Sequence, residues 1–114
     1  MKMEARLKMP DDRALEFKAR VFKVLGDANR LRIIEFLRDG ERCQCEIIPV
    51  LGQSQPTVSR HLRLLEEAGL LLSERDGNRI LYRVLDEGVH GVVDSLDRGL
   101  MSAMSHGLLS RLAP

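Results

Sequence analysis

Residues 53–84, QSQPTVSRHLRLLEEAGLLLSERDGNRILYRV, decide how this chain reads. Ser54 is a good N-cap, and Pro56 falls in the first turn after it, where a missing N–H is tolerated. From there Val58, Leu62, Leu65 and Gly69 share one face of a helix, and Pro56, Arg60, Arg63 and Glu67 share the other. Gly69 closes that helix. Two β-prone runs follow, residues 70–75 and 79–84, around the strong turn signal Asp76-Gly77-Asn78. In the second run Ile80, Tyr82 and Val84 alternate toward one side and Arg79, Leu81 and Arg83 toward the other. A polar turn, a helix with a cationic outer face and a hairpin bearing arginines, in that order, are the reading unit of a winged helix-turn-helix.

The flanks fit that unit. Upstream, residues 42–51 read as a short helix with Pro49 awkwardly inside it, and Gly52 and Gln53 form the turn. Residues 29–38 carry Leu31, Ile34 and Leu37 at three-residue steps, broadened by Ile33 and Phe36, and such a wide apolar face belongs in a core. Asp11 or Asp12 caps a first helix that runs to about Leu25 on Leu15, Val21, Phe22 and Leu25, and Gly26 ends it. Residues 1–10 read as a flexible tail. Downstream, residues 88–112 read as one long helix with the stripe Val89, Val93, Leu96, Leu100, Met104 and Leu108. Gly91, Gly99 and Gly107 each weaken it by about 1 kcal/mol relative to Ala, and each permits close approach of a partner helix. We read the stripe as a dimer face, with an intramolecular core contact as the alternative. The expected fold is mainly α with a small β-hairpin wing. Residues 11–114 form a single winged helix-turn-helix domain, homodimeric through its first and last helices.

Composition narrows the function. A chain of 114 residues fits one domain with a modest core, for which dimerisation is a natural way to bury more apolar surface. The longest apolar runs are a few residues, so no membrane span is expected. The N-terminus has no apolar core of the secretory type, and two cysteines one residue apart make no disulfide framework, so the expected compartment is the cytoplasm. No glycine-rich phosphate loop, nucleophile elbow or catalytic constellation is present, and Ser59 and His61 lie too close on one helix for a triad, so the chain is not expected to be an enzyme.

The net charge of +1 excludes a broadly basic coat and leaves a local patch. Geometry must separate Arg60, Arg63, Arg75, Arg79 and Arg83 from Glu66, Glu67, Glu74 and Asp76. We expect Gln53, Ser54, Gln55, Thr57, Ser59, Arg60, His61 and Arg63 to face double-stranded DNA in the major groove, helped by the partial positive charge of the helix N-terminus. Arg75 and Arg79 bracket the wing tip and point to an adjacent minor groove or to backbone. The rival reading is a winged helix that docks a protein and touches no DNA. A steep salt dependence of DNA binding separates the two.

Cys43 and Cys45 form a Cys-x-Cys just upstream. Two thiolates at this spacing grip a soft, thiophilic centre. On a regular helix residues i and i+2 point about 200° apart, so chelation by both is expected to distort the third helix and shift the reading helix behind it. A helix N-terminus and Arg42 favour thiolate over thiol. Two alternatives stand beside this reading: the cysteines pack as small apolar residues, or they sense oxidants through sulfenic acid, persulfide or a Cys-x-Cys disulfide.

Four segments, VLGDANRLRIIEFL (24–37), ERCQCEI (41–47), QSQPTVSRHLRLLEEAGLL (53–71) and GNRILYRV (77–84), together resemble the arsenical-resistance repressor (ArsR/SmtB) family of winged-helix metalloregulators, over about residues 13–111. The resemblance implies a homodimer on an operator with an imperfect inverted repeat near its own promoter, repressing until an inducer binds. It implies trivalent arsenic or antimony as inducer at Cys43 and Cys45. Arsenic-sensing members carry a third cysteine three residues after the second, where this chain has Ile48, so the third ligand is an outside thiol, water or another group. The family's zinc site on the last helix pairs Asp-x-His with His-x-x-Glu. Here Leu96 follows Asp94 in the His place and Leu109 follows His106 in the Glu place, so no zinc site is expected there. His90 and Asp94, four apart, read as a surface contact.

Overall fold

A side-chain acceptor opens every helix among the described residues, which are 11–112 of a computed structural model. The expected tail at 1–10 lies outside them. Asp11 caps α1 (Asp12–Leu25) and Asp27 caps α2 (Ala28–Phe36). Cys43 caps α3 (Gln44–Leu51), Ser54 caps α4 (Gln55–Glu67) and Asp86 caps α5 (Glu87–Asp94). For α6 (Arg98–Leu112), the Asp97 carboxylate accepts from the Leu100 N–H at 2.8 Å. Each such cap contributes about 1 kcal/mol to holding a helix start in place.

Three antiparallel strands complete the fold: β1 (Arg42–Cys43), β2 (Leu71–Asp76) and β3 (Arg79–Val84), in the order β1-β3-β2. The hairpin pairs Leu71 with Val84 through to Asp76 with Arg79, so the turn contains only Gly77 and Asn78. Gly77 has φ 63° and Asn78 has no positive φ, the pattern of a type II′ turn, which demands glycine at its first central position. β1 is too short to leave a periodic signal. It pairs Arg42 with Tyr82 and Cys43 with Leu81, stitching the cysteine segment to the base of the wing.

The core lies where α2, α3, α4 and the hairpin meet. Ile33, Ile34, Ile47, Val58, Leu62, Leu65 and Leu71 are fully buried, and Tyr82 and Val89 close the cluster. The apolar face expected of the second helix is observed at Ile33, Ile34, Phe36 and Leu37 but not at Leu31, which is exposed, and the inward alternation of Ile80, Tyr82 and Val84 is observed.

Two expectations are corrected. The third helix starts at Gln44 rather than at residue 42, because Cys43 takes extended backbone (φ −71°, ψ 145°) and pairs as a strand. The long final helix is two helices, broken at residues 95–97. Ser95 Oγ donates to the Val92 carbonyl at 2.6 Å, ending α5, and Asp97 starts a new helix by capping it. The break divides the apolar stripe. Val89 and Val93 turn into the core, while Leu96, Leu100, Met104 and Leu108 remain exposed.

Candidate nucleic-acid interface and cysteine pair

α3, the turn at residues 52–54 and α4 form the helix-turn-helix. Gly52 takes the left-handed conformation (φ 64°) that ends α3, and its N–H donates to the Ile48 carbonyl. Ser54 Oγ then accepts from the Thr57 N–H at 3.4 Å and donates to Thr57 Oγ1 at 3.0 Å. This fixes the start of α4 relative to α3. Val58, Leu62 and Leu65 anchor its inner face in the core, and Gln55, Arg60 and Arg63 stand on its exposed face.

Charges separate only partly along α4. Arg60 sits in its first half and Arg63 in its second, with Glu66 and Glu67 in the last turn, about 10 Å from Arg60 but one turn from Arg63 at 1.5 Å per residue. Ser73 Oγ donates to Glu66 at 2.6 Å, drawing that carboxylate toward β2. Arg60, Arg63 and Arg75 are exposed and make no ion pair among the described residues. Arg79 pairs with Asp76 at 3.1 Å, but both are more than half exposed, and such pairs contribute at most about 1 kcal/mol. The register puts Arg75 opposite Ile80 and Arg79 opposite Asp76, so the two arginines occupy opposite faces of the wing tip.

Three of the expected DNA-facing residues are only partly exposed. Thr57 and Ser59 are half-buried, and Gln53 is half-buried with its side-chain oxygen unpartnered among the described residues. His61 is a correction: only 4 % of it is exposed, so it does not face DNA. It lies three residues after Val58 and four before Leu65, on the same inward face, and that spacing carried the signal. Its partner is Arg30 of α2, whose Nη1 donates to His61 Nδ1 at 3.1 Å while its Nε donates to the Val24 carbonyl at 2.5 Å. Guanidinium only donates, so His61 is neutral with its proton on Nε2. Burial holds the His61 pKa below its ordinary value, and Arg30 and Arg60 push the same way against the opposing pull of Asp27. Burial by itself raises the Asp27 carboxyl, but the N–H groups of Arg30 and Asn29, with the Arg30 guanidinium, outweigh it and leave it lowered.

The cysteine pair has a built setting. Cys43 is buried and Cys45 exposed, with Cα atoms 5.1 Å apart and the two sulfurs joined as a disulfide. Cys43 Sγ also accepts from the Cys45 N–H at 3.0 Å, and Glu46 accepts from the Cys43 N–H at 2.9 Å. These bonds make a reciprocal capping box. The sulfurs converge because Cys43 is a cap, outside the helix. The distortion of α3 expected from a helical i, i+2 pair is therefore not needed to bring them together. Arg42 stacks over the Phe36 ring at 5.1 Å and reaches Glu46 at 3.5 Å, so its charge is engaged by a carboxylate and an aromatic face.

A cavity of about 340 Å³ opens beside the pair. Cys43, Gln44, Cys45 and Ile48 line one side, Gln55 at the start of α4 another, and Asn78 and Arg79 of the wing tip a third. Gln44, unremarked in the sequence, reaches across: its Nε2 donates to Ser59 Oγ on α4 at 2.7 Å. No local signal marks a contact fifteen residues apart.

On α5 the two polar groups four apart are engaged separately. Asp94 holds Arg38 through both oxygens at 2.9 and 3.0 Å, and His90 Nε2 bonds the Ile34 carbonyl at 3.0 Å. The Arg38 guanidinium holds the Asp94 carboxyl below its ordinary pKa. Among the described residues no three His, Cys, Asp or Glu side chains are grouped to hold a metal ion, and no helix is long and apolar enough to cross a membrane.

Over residues 27–73 the sequence matches the family described as "Bacterial regulatory protein, arsR family". It is 36 % identical to an HTH-type transcriptional regulator of Methanocaldococcus jannaschii, across 72 % of this chain and 93 % of that one. It is 48 % identical over 65 residues to the arsenical resistance operon repressor of Escherichia coli, a match that covers 56 % of each chain. Among solved structures it is similar to the homodimeric winged helix-turn-helix DNA-binding domain of a possible ArsR-family transcriptional regulator from Mycobacterium bovis. That likeness has a TM-score of 0.67 and 30 % identity, over 88 % of this chain and 91 % of that one. The match from α2 into β2 takes in the cysteine segment and the whole helix-turn-helix, and the chain belongs to the arsR family of bacterial regulatory proteins, DNA-binding transcriptional regulators rather than enzymes.

Proposed function

We propose that the protein is a homodimeric repressor that binds an operator with an imperfect inverted repeat and leaves it when a trivalent arsenic or antimony centre is held by Cys43 and Cys45. The observation that carries this reading is the meeting of both sulfurs in a cavity walled by the start of α4 and the wing tip. In their reduced form the two thiols each replace one hydroxyl of As(OH)₃, and two waters leave. The third position on arsenic keeps its hydroxyl or takes a thiol from outside, since this chain has only two cysteines. Arg60 and Arg63 on α4, with Arg75 and Arg79 on the wing, supply the phosphate and base contacts, and Gln55 stands at the helix start beside them. A two-fold dimer reads two half-sites related by its own symmetry, hence the inverted repeat.

A second reading has its own observation, the disulfide between Cys43 and Cys45. Oxidation of the two thiols releases two electrons and two protons to a peroxide, which becomes water, and the closed pair is then the signalling state.

The test is fluorescence anisotropy of the reduced protein on DNA from its own upstream region. Arsenite is expected to release the DNA, zinc is not, and Cys43→Ser and Cys45→Ser are expected to bind DNA without release. Release by arsenite that survives both substitutions overturns the assignment of the inducer site. Release by peroxide, reversed by a dithiol, with indifference to arsenite, establishes the second reading instead.

A further inference from the structure

We propose that Gln44 is the positioning residue that couples the sulfur pair to the reading helix, through its hydrogen bond to Ser59. This rests on Cys43 and Cys45 being the inducer site, and it names how that site reaches the DNA-reading surface.

The argument begins with ring closure. A centre held by both sulfurs closes a chelate ring through the backbone of residues 43–45, and every backbone atom of Gln44 between the two Cα atoms lies in that ring. Changing the occupant of the sulfurs therefore resets the Gln44 backbone torsions, whatever else it does. Gln44 is the first residue of α3, where its N–H is not committed to the helical ladder, so this turn adjusts without breaking the helix.

The side chain carries the change onward. Gln44 Nε2 meets Ser59 Oγ at 2.7 Å, and both residues are half-buried, so water competes poorly for the bond. A hydroxyl donates or accepts, so the contact holds for either orientation of the amide. Ser59 lies between buried Val58 and exposed Arg60 and one turn before Arg63. A pull on its hydroxyl is a pull on the backbone that aims both arginines. A bond broken by ligation loosens the same segment.

The distinguishing quantity is the coupling ratio, operator Kd with inducer divided by Kd without. It is measured for wild type, Gln44→Ala and Gln44→Glu, with arsenite uptake followed separately by protection of the two thiols from a chromogenic disulfide reagent, and folding by circular dichroism. Gln44→Glu keeps the reach and an acceptor for the Ser59 hydroxyl. In Gln44→Ala we expect thiol protection as in wild type, operator binding without inducer within about threefold, and a coupling ratio reduced about fivefold, the size carried by one hydrogen bond. Gln44→Glu should recover most of the ratio. A wild-type ratio in Gln44→Ala, with its thiols protected, overturns the proposal. So does an equal loss of affinity with and without inducer, which marks the contact as structural only. Failure of arsenite to protect the wild-type thiols overturns the inducer reading instead. The same ratio, taken between the reduced pair and the disulfide, then decides the role of Gln44.

Discussion

Two buried or half-buried side chains at the reading unit carry consequences of their own. His61 enters the fold neutral, accepting from Arg30, with its pKa depressed by burial. The unfolded chain returns it to about 6.5, so between the lower folded value and 6.5 the unfolded state binds more protons. Stability is therefore full above about pH 6.5 and falls as the pH drops through the folded value. His61→Gln keeps an acceptor for Arg30 and does not titrate. Urea midpoints taken from pH 7.5 to 5, a range spanning roughly one unit above and more below the free imidazole value, should fall less steeply in that variant than in wild type. Parallel curves would show that the folded and unfolded chains protonate His61 alike, so that its folded pKa is not lowered. Ile48, half-buried on the cysteine cavity, is the other. Ile48→Cys supplies a third thiol where the resemblance places one, and should tighten arsenite binding by about tenfold or more, equivalent to about 1.4 kcal/mol. Unchanged affinity in a thiol-competition titration would show that residue 48 does not reach the bound centre.

At the scale of elements, α4 and the wing were readable because their signals are local: a serine cap, a four-position apolar face, a glycine turn and a period of two. The prediction that belongs to them is electrostatic. Arg60→Ala and Arg63→Ala should each weaken operator binding, and a residue that contacts phosphate should lower the slope of log K against log salt by about 1. Wild-type affinity and slope in both variants would move the DNA-reading face off α4. What was not legible depended on partners distant in sequence. β1 exists because Tyr82 and Leu81 offer a free edge to Arg42 and Cys43, and no two-residue run announces that. The same pairing makes Cys43 a cap, so the premise of a regular helix through both cysteines does not apply. Gln44 was overlooked because Ser59 is fifteen residues away. The inward turn of His61 and the break at residues 95–97 were different, since the spacing Val58, His61, Leu62, Leu65 and the cap at Asp97 are both written in the sequence. In each case a stronger pattern, cationic residues on α4 and an apolar stripe beyond Gly88, masked a weaker one.

At the scale of the molecule, one face is unfinished. Every side chain described from Leu96 to Leu108 is exposed, including the apolar Leu96, Leu100, Met104 and Leu108, and Phe17 and Phe22 of α1 are more than half exposed. A fifteen-residue helix with two glycines is marginal alone in water, so α6 needs a surface to lie on. A second copy of the chain, meeting it through α1 and α6 in the dimer we propose, would supply that surface and place two reading helices on one side. Leu100→Glu with Met104→Glu puts two charges into that contact. Sedimentation velocity should then show monomers, and far-UV circular dichroism should show lost helix as α6 frays. Operator affinity should fall by about 10²–10⁴, because the second half-site no longer binds as an intramolecular event. Half-site DNA, which one subunit reads by itself, should bind the variant and wild type alike. A double variant that remains dimeric and holds the full operator would place the interface on another face, and α6 would then need a different partner to account for its exposed leucines and methionines.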